Sequence, residues 1–368
     1  MRQRVAIIAG FATLVVASMQ TVCGQAPSQQ RAMVPVTAEI SAHYLAVAES
    51  AAASPKERAL WQRRLDTSRD TLENVLGWYT NSGHGDEALR LLVALSRFRT
   101  GPSLVGGFDK ALAIPGTQPM IRARALNSAS AAAFRLKDQE RTRRWANESI
   151  AIWRSLGNSA ETGRAYERLV QAALRDDNHA ALRALADSGD MLCVQGHDED
   201  CHAYFLNMRG ESARVLKQYD SAAVYYDRAA AIYDRVSPAP RLDIPHNIGF
   251  TLLALGRIAE ARQRFRDGLG RAVAGVNRYY YPLMLAGLAS SDAAEGNAVS
   301  AAKLFGVSDA LLDQLHVVPD PADAVEYERY RAIARERLGV AGFEAGVKTG
   351  RALPADSVIA TFKTGPDK

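Results

Sequence analysis

The sequence predicts an all-α fold in which pairs of helices stack into an extended solenoid. Three observations support this class. The chain of 368 residues is 48% hydrophobic and only 7% aromatic, and it is rich in alanine, the residue with the best helix propensity. A short polar turn followed by a small residue recurs about every 40 residues. Alternating polar and apolar runs between tight turns, the pattern of strands, are nearly absent.

The first 24 residues have the order of a secretory signal. Two arginines precede an uncharged apolar run over residues 5–19, and small and polar residues follow. The run is short for a membrane span, which needs about 20 residues. We therefore expect cleavage after Gly24 and export to the periplasm or the medium. Two alternatives stay open: an inner-membrane anchor over residues 5–22, and a lipoprotein modified at Cys23.

The mature chain is expected to be one helical-repeat protein. We expect a signal peptide over 1–24, a flexible linker over 25–35, a helical cap over 36–97, repeats over 98–315 and a C-terminal helical cap and tail over 316–368. Cleavage would leave 43 basic and 40 acidic residues, a net charge of +3. No basic block or cluster of basic and aromatic residues accompanies this charge, so no nucleic-acid partner is expected.

The repeat consists of a leucine or its equivalent, a polar turn and a small residue six positions later. It occurs as LKDQERT at 136–142, LRDDNHA at 174–180, LKQYDSA at 216–222, LGRIAEA at 255–261 and EGNAVSA at 295–301, with a weaker copy, FRTGPSL, at 98–104. Helical patterning flanks each copy, which predicts a helix, a short turn, a second helix and a longer connection. The small residue lies where the second helix packs closely on the first. This is the arrangement of tetratricopeptide (TPR) repeats, lengthened from their usual ~34 residues.

Longer segments carry a more specific likeness. They include ISAHYLAVAESAA at 40–52, SAAKLFGVSDALLDQL at 300–315, EYERYRAIARERLGVAGFEAG at 326–346 and GRALPADSVIA at 350–360. Nearly all of the mature chain resembles the C-terminal TPR region of large bacterial transcriptional regulators that carry a signalling ATPase. The resemblance implies a superhelical interaction module. The signal peptide stands where the ATPase and DNA-binding domains would precede this region, so ATP hydrolysis and transcriptional control are not carried over.

The sequence contains no common catalytic motif. It lacks the phosphate-binding GxxxxGK[ST] loop, HExxH, GxSxG and an EF-hand loop. Its seven histidines are scattered, mostly at expected turns and helix ends. We therefore expect a non-enzymatic protein with no cofactor and no metal, which binds a protein or peptide through its groove. Two alternatives are a membrane-anchored sensor or regulatory module related to the signalling-ATPase regulators, and an enzyme with an unrecognised site.

Three asparagines are the first candidates for binding. Asn127, Asn207 and Asn247 recur near one place in the first helix of three repeats. In TPR proteins this helix lines the concave groove, and an asparagine amide can hold a peptide backbone with both a donor and an acceptor. A local hydrogen bond between helices is the alternative role.

Three adjacent tyrosines are the second candidates. Tyr279, Tyr280 and Tyr281 stand at the start of an expected helix. Consecutive helical residues point ~100° apart, so all three cannot face the core. At least one is expected at the surface, where tyrosine is typical of recognition sites. Core packing with one tyrosine at the rim is the alternative.

The most reactive-looking stretch is CVQGHDEDCH at 193–202. A metal site there would use Cys193, His197, Cys201 and His202, but adjacent residues 201 and 202 diverge on a helix. A Cys–His nucleophile would need an orienting group and an oxyanion site. In an oxidising compartment the two cysteines left after cleavage can form a disulfide. We expect a Cys193–Cys201 bridge across a helix junction, with Gly196 allowing the turn.

Overall fold

The computed structural model describes residues 36–54, 57–236, 241–275, 277–315, 317–319 and 321–363. Across these residues the chain forms helices joined by turns and contains no strand, as the sequence predicts. The expected signal peptide, the linker and the end of the tail at 364–368 lie outside the described residues. Among the helices in the described ranges, none has the length and apolar character needed to cross a membrane.

The described residues form seventeen helices. They are α1 Ala38–Ala52, α2 Arg58–Thr67, α3 Arg69–Asn81, α4 Gly85–Leu95, α5 Pro102–Leu112, α6 Pro119–Arg135, α7 Gln139–Ser155, α8 Ser159–Arg175, α9 His179–Gln195, α10 Glu199–Val215, α11 Tyr219–Val236, α12 Asp243–Ala254, α13 Ile258–Ala274, α14 Tyr280–Glu295, α15 Ala298–Leu315, α16 Pro321–Arg351 and α17 Ala355–Lys363. Helix α16 bends at Gly339, whose backbone leaves the helical region (φ 70°, ψ 162°).

One turn geometry repeats along the chain. In the first example the amide of Lys137 donates to the carbonyl of Phe134, and the amide of Asp138 donates to that of Ala133, each at 3.0 Å. This Schellman pattern requires a left-handed residue, here Lys137 with φ 62°. The same paired bonds recur at six later turns, whose left-handed residues are Gly157, Asp177, His197, Lys217, Gly256 and Gly296.

In four of these turns, the residue after the left-handed one is the N-cap of the next helix. The side chains of Asp138, Asn158, Asn178 and Asp198 each accept a hydrogen bond from the backbone amide three residues later, as N-caps do. Each turn therefore ends one helix and starts the next within three residues. The prediction of a longer connection between pairs is wrong at 156–158 and 196–198, because these turns have the same geometry as the turns inside a pair.

The left-handed residues define the repeat length. Those within the helix pairs stand at 137, 177, 217, 256 and 296, which gives spacings of 40, 40, 39 and 40. In the register read from the sequence, the second copy of the repeat begins at residue 174. The left-handed residue Asp177 places its start two residues later, at 176. The position that packs on the first helix is consequently Leu182, which is fully buried, and Ala180 is exposed. Two adjacent aspartates at 176 and 177 produced the error, since both resemble turn residues.

In two of the pairs, a glycine of the first helix packs closely on an aromatic ring of the second helix. Gly210 and Gly249 each lie seven residues before the left-handed residue of their pair. A Cβ on Gly210 would come 2.6 Å from the ring of Tyr226, and one on Gly249 would come 2.4 Å from Phe265. The first helices of consecutive pairs also contact each other, α6 with α8 and so on to α14 with α16. The pairs thus form a continuous stack.

Candidate functional site

One repeat position carries a polar side chain in four consecutive pairs. Asn127 in α6, Glu167 in α8, Asn207 in α10 and His246 in α12 each lie ten residues before the left-handed residue of their pair. These four residues, here called the polar ladder, occupy equivalent places on first helices that contact one another. The third asparagine predicted from the sequence, Asn247, directly follows His246. It is one residue off, because the preceding repeat is one residue shorter than the others.

The side-chain oxygens of the two asparagines in the polar ladder accept no hydrogen bond from the described residues. Asn207 is 2% exposed and Asn127 is half-buried, and neither Oδ1 atom receives a hydrogen bond from the described residues. A buried polar group without a partner costs about 1–3 kcal/mol. The alternative role of a local bond between helices therefore finds no partner here. Both amides thus keep a buried acceptor that no described residue uses, and a binding role for them stays a prediction.

Glu167 is the acidic member of the polar ladder. Its side chain is 14% exposed, and its Oε2 lies 3.0 Å from Nη2 of Arg168. Burial raises the pKa of Glu167, although Arg168 and Arg164 oppose this shift. Tyr204 in α10 donates its hydroxyl to the backbone carbonyl of Glu167 at 3.3 Å. Sequence reasoning missed Glu167, but counting 40 residues from Asn127 would have found it.

A cation lies close to this part of the polar ladder. Arg135 ends α6, and both its burial and the neighbouring Arg168 lower its pKa. Arg135 has no ion pair with the described residues, whereas Arg168 is paired with Glu167. Arg164, on the same helix as Glu167, is held by Asp198, with 2.8 Å between its Nη2 and Oδ1. Arg135 is therefore a positive charge without an ion pair beside Arg168, the partner of Glu167.

Helix α16 covers the other end of the polar ladder. Nη2 of Arg214 lies 3.3 Å from Oδ1 of Asp323 in the first turn of α16. Nε2 of His246 lies 2.9 Å from the hydroxyl of Tyr327, whose ring packs 5.4 Å from that of Phe250. His246 is consequently 3% exposed and Asn247 is 7% exposed. The chain itself therefore covers the C-terminal end of the polar ladder at α12.

The Cys193–Cys201 stretch is a covalent junction between α9 and α10. A disulfide joins Cys193 to Cys201, with 5.7 Å between their Cα atoms, and both residues are fully buried. The left-handed residue of the turn is His197, with φ 54°, and not Gly196. Gly196 is needed because a Cβ there would lie 2.5 Å from the backbone nitrogen of Ala160. The bonded sulfurs are not available as thiolate ligands or nucleophiles.

His202 belongs to a second link across the same two helices. Its Nδ1 contacts Oδ1 of Asp190, and the other oxygen of Asp190 lies 2.8 Å from Nη1 of Arg209. These contacts join α9 to α10 beside the disulfide. Among the described residues, no group of three or more histidine, cysteine, aspartate or glutamate side chains is arranged to hold a metal.

Three side chains elsewhere resemble a catalytic triad in outline. Nδ1 of His179 lies 3.2 Å from Oγ of Ser212, and its Nε2 lies 2.9 Å from Oδ1 of Asp177. Ser212 is 1% exposed, so a substrate cannot reach this hydroxyl in the structure. A nucleophile must lie open to its substrate and beside oxyanion donors. The arrangement instead joins the start of α9 to α10.

The tyrosines stand at the start of α14, outside the helices that carry the polar ladder. Tyr279 is 49% exposed and Tyr281 is 7% exposed. The rings of Tyr279 and Tyr280 meet edge to face, with 5.1 Å between their centroids. The burial follows the mixed pattern expected for consecutive helical residues, and a binding role for these tyrosines stays a prediction.

Comparison with known proteins supports the fold. No protein-family model matches the chain, and no curated protein matches it in sequence. The chain is similar to the crystal structure of aspartyl phosphate phosphatase F from Bacillus subtilis, with a TM-score of 0.59 and 12% identity over 91% of this chain and 97% of that chain. It is also similar to a Rap protein complexed with competence and sporulation factor, with a TM-score of 0.54 and 12% identity over 88% of this chain and 99% of that chain.

These likenesses show a TPR-like helical-repeat fold, as predicted from the repeat. At 12% identity they do not extend to activity or partner. The more specific resemblance to the C-terminal region of ATPase-type regulators stays a prediction.

Proposed function

We propose that the protein is a non-enzymatic, exported TPR-like protein that binds a peptide or protein segment along the polar ladder, on the concave side of its superhelix. The contacts between first helices support this side, because second helices of consecutive pairs do not approach one another to the same extent. That asymmetry curves a stack of helix pairs toward its first helices.

The observation that carries the proposal is the pair of amides at Asn127 and Asn207. They stand two repeats apart on equivalent positions, and their Oδ1 atoms have no donor in the described chain. Both oxygens are buried, so neighbouring side chains must move aside for a bound segment; its backbone amide would then supply that donor, and the asparagine NH₂ group would donate to a backbone carbonyl in return. An extended segment lying across α6, α8 and α10 could satisfy both asparagines at once.

The charges near the polar ladder favour a segment with an acidic group. Arg135 has no ion pair in the described chain, and a carboxylate placed between Arg135 and Arg168 would supply one. The similar Rap structure was solved with a bound partner, competence and sporulation factor. We extend from that neighbour only the expectation that this fold accepts a partner.

The buried disulfide supports export, because such bonds persist in oxidising compartments. A periplasmic or secreted protein cleaved after Gly24 is therefore the location we propose. The alternative is a membrane-anchored sensor that keeps residues 5–22. N-terminal sequencing of the native protein, combined with cell fractionation, separates the two: a mature N-terminus at Gln25 in the periplasm or the medium supports export, and an intact N-terminus in the membrane supports the anchor.

Selection from a peptide library tests the binding site. Peptides selected on the purified mature protein should lose affinity when Asn127 and Asn207 are both replaced by leucine. Asn147→Leu, at an exposed site on the second helix α7, is the matched control and should leave binding unchanged. Peptides that bind the double variant and the wild type equally would refute this site.

A further inference from the structure

A second cleft lies in the N-terminal helices, apart from the polar ladder. It has a volume of about 300 Å³ and is formed by α2, α3, α4 and α5 with the segment between α4 and α5. That volume is at the lower end of the ~300–1,000 Å³ typical of ligand sites. The cleft therefore has room for a molecule of amino-acid size.

The floor of the cleft is apolar. It is formed by leucines from three helices and by one aromatic ring: Leu72, Leu76, Leu92, Leu95, Leu104 and Phe98. Leu72 and Leu92 are almost completely buried. Such a floor takes an aliphatic side chain, because its contacts replace water on both surfaces.

One nitrogen of a guanidinium at the cleft lacks an acceptor among the described residues. Nη2 of Arg99 donates to the backbone carbonyl of Leu65 at 2.9 Å, but Nε of Arg99 is buried and has no acceptor among the described residues. Burial and the neighbouring Arg69 lower the pKa of Arg99, and the charges of Asp66 and Glu73 oppose this shift. A carboxylate is the natural partner for a donor of this kind.

One carboxylate at the cleft makes no direct contact with a cation of the described residues. Asp66 accepts hydrogen bonds from Gln62 and Arg69, at 3.0 and 3.3 Å. Glu73, by contrast, has no hydrogen bond or ion pair with the described residues. After the internal pairs are formed, the lining thus retains one guanidinium donor and one carboxylate beside an apolar floor.

We infer that this cleft binds a free α-amino acid with an aliphatic side chain. Its carboxylate is held by Arg99, its ammonium by Glu73 and its side chain by the leucines of the floor. The complementary charges of Arg99 and Glu73 distinguish this ligand from a fatty acid, which has no ammonium, and from an amine, which has no carboxylate. The site is independent of the binding proposed at the polar ladder.

Calorimetric titration of the mature protein with L-leucine tests the inference. Leucine should bind, and 4-methylpentanoate and 3-methylbutylamine, which each lack one charged group, should bind about tenfold more weakly or not at all. Glu73→Gln and Arg99→Lys should each weaken leucine binding by about tenfold. The matched controls Glu140→Gln and Arg63→Lys change exposed residues outside the cleft and should bind leucine like the wild type.

A third variant tests the cleft without changing Arg99, so that its result does not depend on whether the Arg99 variant folds. Ser103 is exposed at the rim of the cleft, and Ser103→Trp should block leucine binding while the thermal unfolding midpoint stays within a few degrees of that of the wild type. Failure of leucine to bind the wild type, or equal binding of leucine and 4-methylpentanoate, would overturn the inference. Neither outcome would affect the test at the polar ladder, since that test uses different variants and a different ligand.

Discussion

The imidazole of His246 and the hydroxyl of Tyr327 lie 2.9 Å apart, although 81 residues separate them in the chain. Both residues are buried, at 3% and 5% exposure. The contact joins α12 to α16 and closes the C-terminal end of the polar ladder. It therefore links the stability of the last helices to the covering of the polar ladder.

We expect Tyr327→Phe to lower the free energy of unfolding by about 1–2 kcal/mol, because Nε2 of His246 would lose its buried partner. Urea unfolding measured by circular dichroism provides the value. Tyr225→Phe, on α11, is the control, since the hydroxyl of Tyr225 makes no hydrogen bond with the described residues. Equal effects of the two substitutions would show that the His246–Tyr327 bond contributes nothing to stability.

Reduction of the Cys193–Cys201 disulfide should lower the free energy of unfolding. The loop it closes is short, and the chain-entropy model gives roughly 2–3 kcal/mol for such a loop. The oxidised and reduced proteins can be compared by urea unfolding, with thiol labelling to verify each state. A Cys193→Ala, Cys201→Ala protein should unfold like the reduced wild type and should not respond to reductant. Labelling of both cysteines in the native protein would contradict the presence of the bridge.

Two glycine substitutions should have opposite effects on stability. Gly210→Ala would place a Cβ 2.6 Å from the ring of Tyr226, and this overpacking should cost about 1–3 kcal/mol. Gly106→Ala, within α5, meets nothing within 4 Å and should stabilise by about 0.4–1 kcal/mol, because alanine restricts the unfolded chain. Thermal unfolding of both variants tests the packing. A stabilising Gly210→Ala would show that α10 and α11 can separate at no cost.

Asn207→Leu should separate binding from stability. The side chain of Asn207 is buried and its Oδ1 has no donor, so an apolar residue of similar shape should leave the free energy of unfolding unchanged or raise it by up to about 1 kcal/mol. Binding of selected peptides should be lost. For comparison, Ser149→Ala removes a buried bond to the carbonyl of Ala123 at 2.9 Å and should cost about 0.5–1.5 kcal/mol. Marked destabilisation by Asn207→Leu would assign the asparagine a structural role.

Glu167 should make stability depend on pH. Its pKa in the folded protein is raised above the usual 4.5 by burial, so the folded state retains this proton to higher pH than the unfolded chain does. Its contribution to stability is therefore present below the unfolded pKa and is lost as pH rises through the folded pKa. Relative to Glu167→Gln, the wild type should become less stable as the pH rises from about 4 to 8. Urea unfolding across this range tests the difference, and parallel profiles for the two proteins would contradict it.

The sequence was sufficient for the helices, the repeat and the covalent junction. Apolar residues at helical spacing, polar turns and N-capping side chains act between neighbours in the chain, so their pattern can be read without tertiary structure. The spacing of the cysteines across an expected helix junction likewise indicated their bond. The repeat in the sequence also predicts similar places for Asn127 and Asn207, and the turn geometry makes these positions equivalent.

Tertiary structure decided which side chains meet. Glu167 and His246 share a repeat position with the asparagines, but this becomes visible only when the left-handed turn residues define the register. At the cysteine junction the left-handed residue is His197, and the adjacent Gly196 is needed for the close approach of α8.

The contact between Arg214 and Asp323 spans 109 residues and depends on how far the stack of helices curves. Local patterns determine which helices form and where they turn. Curvature is the sum of small rotations at every packed pair, so only the folded chain decides which part of the polar ladder is covered by α16.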